Sequence, residues 1–168
     1  LGVWRKFYNT TVLIQINFLF LTKLLTGKNP SQLTQVEYMK TEALKEKYIK
    51  YNLTKDDVFK HQHYIILTRS GIDKIQALEN INIDYDVIKC EKDFCVVKAN
   101  ARKEGKAIQT FGSALKGTGF KDGNTNTWYT MEMAEKRAMS RAVLKLTGFY
   151  ELGVFGEDEA EDFKKSNN

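Results

Sequence analysis

Proline is almost missing. Pro30 is the only one among 168 residues, so no proline-rich linker divides the chain. Cysteine is nearly as scarce. Cys90 and Cys95 are too few for a disulfide framework or a four-thiolate zinc centre. No run reaches 18 apolar residues, which argues against an ordinary membrane-spanning helix. The glycine-rich loop at 116–127 lacks a Gly-Lys-Ser/Thr ending, so it is not a nucleotide-binding P-loop. Nor does the sequence offer a Ser–His–Asp or Cys–His arrangement for nucleophilic catalysis. What remains is a globular composition, 42% apolar and 28% charged, of a length that fits one domain with an appendage.

Charge is the first positive signal. Lys and Arg number 26 against 21 Asp and Glu, a net +5. Residues 1–38 are net +3, residues 39–150 net +6 and residues 151–168 net −4. A basic body with an acidic tail fits a nucleic-acid binder whose tail meets protein partners or competes for its own groove. The same balance also fits a soluble domain with a solvated tail.

The first 38 residues differ from the rest. They show no amphipathic period, and 12–25 is apolar apart from Gln15, Asn17, Thr22 and Lys23. With Arg5 and Lys6 ahead of it, this stretch resembles a secretory signal but lacks a small-residue cleavage site. The first methionine is Met39, at the head of a patterned helix. The expected organisation is an atypical extension over 1–38 that lies outside the native product, an α+β DNA-binding domain over 39–150 and an acidic tail over 151–168.

Within the body, Leu44, Tyr48 and Tyr51 recur at helical spacing and predict a helix over 40–51. Thr54 predicts the cap of a short helical turn through 59, with Asp57 at its third position. Residues 63–68 read as a strand. Ser70 reads as the cap of a helix over 71–80 with Ile72, Ile75 and Leu78 inward. Three strands follow: Ile83, Tyr85 and Val87 alternate with acids, and 94–101 and 108–115 read as two more. In the last of these, Gln109, Phe111, Ser113 and Leu115 share one face. Gly105 marks a hairpin turn. The longest helix is expected over 128–146, closed by Gly148. The sum is an α+β fold: a three- to four-stranded antiparallel sheet with helices on one face, a β-β-β-α core.

Arg137, Arg141 and Lys145 stand at i, i+4 and i+8 of the last helix and form one cationic stripe. Ala134 and Ala138 beside it permit close approach. As a functional surface, the stripe tracks phosphates next to Lys116 and Lys121 of the glycine-rich loop. As a bland surface, it is a solvated face. Trp128 and Tyr129, where loop meets helix, are candidates for stacking on bases. They equally suit a hydrophobic anchor for the helix N-terminus.

The run from Ala134 to Leu144, with Arg137 and Arg141 in an Ala-Glu-x-Arg-Ala-x-x-Arg-Ala frame, is followed by Gly148-Phe-Tyr-Glu. Together they resemble the phage single-strand annealing proteins, the Erf-like group and its Rad-type eukaryotic relatives. Residues 64–71 and the strand at 85–88 add a weaker likeness, and the whole covers about 61–160. Val143 stands where the motif has Leu. The resemblance implies a non-enzymatic protein that binds single-stranded DNA and anneals strands without ATP or cofactor. It implies a homo-oligomeric ring or filament in a bacterial host's cytoplasm, acting in recombination or repair. Arg137 and Arg141 would be its motif arginines, while Lys145 rests on helix geometry alone. The acidic segment 157–162 with Phe163 would meet a protein partner.

Two further readings come from the residues. A regulatory interaction module would use the acidic tail. A metal-dependent nuclease would use Glu104-Gly-Lys106 with Asp84, Asp86 or Asp93. His61, His63, Cys90 and Cys95 match no zinc spacing with a mechanism, so no metal is expected.

Overall fold

A computed structural model of the chain describes residues 22–23, 27–61, 64–118, 122–125 and 128–160. The chain divides into two units, 1–52 and 53–168. In the first, a 3-10 turn (Pro30–Gln32) precedes helix α1 (Gln35–Lys50). The Thr34 hydroxyl accepts from the Glu37 N–H, and the Glu37 carboxylate accepts from the Thr34 N–H at 2.9 Å. Two orphan donors of the first turn are thereby satisfied. The Thr34 N–H, then the Lys28 ammonium and the Thr34 hydroxyl, hold the Glu37 carboxyl down to about 2. Met39 lies in the second turn of α1. The expected boundary between 38 and 39 therefore falls inside one helix.

The division at 52/53 also relocates the charge. Residues 1–52 carry eight Lys and Arg against three acids, whereas 53–168 carry eighteen of each. The second unit is balanced rather than basic. Its positive excess is local, nine Lys and Arg against four acids over 101–150.

The second unit is α+β. It holds β1 (Val58–His61), β2 (Tyr64–Leu67), helix α2 (Arg69–Leu78), β3 (Asn82–Cys90), β4 (Phe94–Lys103) and β5 (Lys106–Leu115). Helix α3 (Thr130–Leu146), β6 (Val154–Gly156) and the single turn α4 (Glu157–Ala160) complete it. Strands β3, β4 and β5 form the expected antiparallel meander. Glu104 and Gly105, with φ of 45° and 78°, make its tight turn, and Gly148 at φ 70° closes α3.

The single sheet is corrected to two. β2 pairs antiparallel with β1 and parallel with β6, and this second sheet is separate from the meander. The reason lies in β2 itself: Ile65, Ile66 and Leu67 are all buried, so it is a central strand covered on both faces. The helical turn expected through residue 59 is also corrected. Asp57 accepts from the Thr54 N–H at 2.8 Å and closes a turn, which leaves Val58 free to start β1. Asp57 also accepts from Ser70 Oγ at 3.1 Å, so the cap of α2 is Thr68 rather than Ser70.

Helix α3 lies directly on the meander. The inward row of β4 is Cys95, Val97, Ala99 and Ala101, all buried. On β5 the contact centres on Gly112. A Cβ there would stand 2.0 Å from Ala134 O and 2.4 Å from Ala138 N. Ala134 and Ala138 thus permit the close approach their size suggests. Thr110 Oγ1 donates to Ala138 O at 2.6 Å and ties helix to strand. Val143 and Leu144 are fully buried, each worth about 1.5–3 kcal/mol against exposure.

Candidate nucleic-acid interface

β5 is an edge strand, and its outward carbonyls need donors. The stripe on α3 supplies them. Arg137 Nη1 donates to Ser113 O at 2.8 Å, Nη2 to Asn124 O at 2.7 Å and Nε to Asp158 O at 3.1 Å. Its residue is 1% exposed. The assignment of Arg137 to a phosphate is therefore corrected: every nitrogen of the guanidinium serves a backbone carbonyl, in a place phosphate does not reach. Arg141 is half committed. Its Nη1 donates to Phe111 O at 2.8 Å and its Nε to Glu159 Oε1 at 2.7 Å. Asn124 completes the cover, accepting from the Leu115 N–H at 2.7 Å and donating to Ser113 O at 3.2 Å. The stripe exists as helix geometry, but burial runs along it, from enclosed Arg137 through Arg141 to exposed Lys145.

The acidic segment is likewise used inside the fold. Glu157 accepts from the Arg69 N–H at 2.9 Å, at the start of α2. Asp158 accepts from Ser140 Oγ at 2.7 Å. Glu159 is buried and accepts from both Arg141 and the Tyr150 hydroxyl. Burial, and then that hydrogen bond, push the Tyr150 hydroxyl above its ordinary range. The acidic tail expected over 151–168 is part of the fold as far as 160: β6 pairs with β2, and the carboxylates of α4 find donors on α2 and α3. Residues 161–168 lie outside the described residues.

At the other end of α3 the arrangement opens. Trp128 is 70% exposed and Tyr129 67% exposed, so neither anchors the helix in a core. The Lys116 ammonium sits over the Trp128 ring, a cation–π contact. Lys116 is held by its backbone: its N–H donates to Asp93 O at 2.7 Å and it bridges to Thr125. Tyr129 occupies the N-cap of α3 and makes no side-chain capping bond. Lys121 lies outside the described residues.

The expected site residues therefore separate. Lys116, Trp128 and Tyr129 gather at the N-terminal end of α3. Lys145 stands fifteen positions along the helix from Thr130, about 22 Å away at 1.5 Å per residue. Phe111, half exposed on the outer face of β5, was not among the expected residues. Alternation in β5 had put it on the face opposite Gly112, which is the signal that marks it.

Glu104 sits in the hairpin turn, and Asp84 and Asp86 pair with Arg102 and Lys98 at 3.0 and 2.7 Å. Among the described residues no three His, Cys, Asp or Glu stand close enough to hold a metal ion. No helix among them is long and apolar enough to cross a membrane. No family model, curated protein or solved structure matches the chain.

Proposed function

We propose that this chain binds single-stranded DNA without sequence preference. On this reading it acts as an ATP-independent binding and annealing protein in the cytoplasm of a bacterial host, in recombination or repair, as the resemblance carried by α3 implies. The observation that carries the reading is the exposed Trp128–Tyr129 pair beside Lys116. Two aromatic rings held open to solvent at the head of a helix offer flat surfaces for bases. A lysine beside them offers a phosphate contact. The α3 N-terminus adds a positive dipole end, which its first-turn Glu132 partly offsets.

The groove differs from a simple arginine track. Its cations are Lys116 at one end of α3 and Lys145 at the other, while Phe111 lies on the opposite face of the meander from α3 and stands outside this track. Arg141 contributes only through its exposed part. Annealing needs no catalytic group, only a strand held with its base edges free. A homo-oligomer belongs to the same proposal. β5 is closed to pairing over 111–115 by Arg137, Arg141 and Asn124, so assembly through the meander would use β3, where Val87 and Ile88 are exposed.

The regulatory-module reading, which relied on a free acidic tail, is weakened by the internal use of Glu157, Asp158 and Glu159. The test is fluorescence anisotropy of a labelled single-stranded oligonucleotide titrated with the full chain at several salt concentrations. Binding that exceeds duplex binding and drops after Trp128→Ala plus Tyr129→Ala is expected. A folded double variant with unchanged affinity would remove the aromatic pair from the interface and the proposal with it.

A further inference from the structure

The chain has two cysteines, and the fold brings them together. Cys90 ends β3 and Cys95 lies near the start of β4, where they are direct cross-strand partners. Both are free thiols, and their Sγ atoms are 3.5 Å apart. One turn-side position away, the Glu91 N–H donates to Phe94 O at 2.8 Å. Hydrogen-bonded and non-hydrogen-bonded pairs alternate along an antiparallel ladder. Cys90 and Cys95 are therefore a non-hydrogen-bonded pair, the kind whose Cα atoms approach to about 4.5 Å. That lies inside the window of about 4.4–6.8 Å that a disulfide requires. The sulfurs need only close to about 2.05 Å, a side-chain adjustment.

We propose that Cys90 and Cys95 form a reversible dithiol–disulfide pair, a modification site for small-molecule disulfides such as oxidised glutathione. Cys90 is the attacking thiol and Cys95 the resolving one. The roles follow from exposure: Cys90 is open to solvent, while Cys95 is buried and out of reach of a bulky reagent. Cys95 Sγ is also held 3.3 Å from Thr130 Oγ1, at the first residue of α3.

The chemistry balances. Cys90 gives its proton to solvent, and the thiolate attacks one sulfur of the reagent's disulfide. That S–S bond breaks and one thiolate leaves, giving a mixed disulfide on Cys90. Cys95, deprotonated in turn, attacks the Cys90 sulfur and expels the second reagent thiolate. Two protein thiols are oxidised and one small disulfide is reduced to two thiols. The closed loop holds few residues, so the bond removes little chain entropy from the unfolded state. Such a bond is suited to switching rather than to holding the fold together. The inference does not depend on DNA binding.

The test equilibrates the full chain with oxidised and reduced glutathione at a series of ratios, then alkylates free thiols and maps them by mass spectrometry. The expected result is joint loss of both alkylatable thiols within one chain, reversed by reductant. Cys95→Ser should stop at a glutathione adduct on Cys90, and Cys90→Ser should remain unmodified in the folded protein. The native chain alone also decides the matter. Retention of both thiols at the most oxidising ratio, or a disulfide that joins two chains, would overturn the proposal.

Discussion

Arg137 places a full positive charge among three backbone carbonyls, with almost no access to water. Hydrogen bonds from a charged donor contribute about 1.5–3 kcal/mol each, and stripping a buried network of one partner costs the most. Arg137→Ala should therefore lower stability by about 3 kcal/mol or more, read as a fall in urea midpoint. Arg137→Lys should fail almost as badly, because one ammonium cannot reproduce a planar fork. An unchanged midpoint would return Arg137 to the surface. Asp57 makes a second residue-scale case. Burial pushes its carboxyl up, but Lys74 at 2.7 Å, Thr54 and Ser70 outweigh this and leave it below the usual range. With a depressed folded value, its contribution is complete above the unfolded pKa of about 3.9 and is lost as pH falls through the folded value. Asp57→Asn should be less stable than wild type at neutral pH, and the gap should narrow below about pH 4. A gap that stays constant across that range would count against the ionised form. At this scale residue types and spacing were legible in the sequence, but direction was not. Helical period placed Arg137 and Arg141 on one face, yet only the carbonyls of β5, more than twenty residues away, make that face an inside.

Gly112 shows how one element limits another. Its missing Cβ is the space in which α3 lies, and the atoms that would clash belong to the α3 backbone at Ala134 and Ala138. Backbone cannot swing aside as a side chain can. Gly112→Ala should cost about 3 kcal/mol or more, at the upper end of overpacking effects, or abolish the cooperative thermal transition. A variant that melts like wild type would mean that α3 shifts freely across the sheet. Elements were legible where their pattern was local. The meander announced itself through alternation and a glycine turn, and α3 through its length and closing glycine. Thr34 and Glu37 carry a capping-box spacing that sets the start of α1, a better guide than the position of Met39. The sheet of β1, β2 and β6 was not legible. β6 is three residues long and pairs in parallel with a strand nearly ninety residues earlier, and no local period records such a partner.

Across the whole molecule, charge is distributed in a way that total composition hides. The net +5 resides in residues 1–52, while the unit that holds the aromatic pair is balanced. Whole-chain charge is thus a poor guide to the proposed interface, where affinity would have to come from a few groups of two kinds. The two kinds are separable by salt. Each lysine that neutralises a phosphate of a single strand contributes a slope of about −0.7 in log affinity against log salt. A stacking ring contributes about 1–3 kcal/mol with no counterion released. Lys116→Ala should flatten the salt slope by about 0.7. Trp128→Ala should weaken binding at every salt concentration and leave the slope where it was. Lys145→Ala should repeat the Lys116 effect if one strand spans α3 from end to end, because the two lysines then contact different phosphates. A slope unaffected by Lys145→Ala would confine the strand to the N-terminal end of the helix. A slope that falls with Trp128→Ala would show that the ring positions Lys116 rather than stacking on a base.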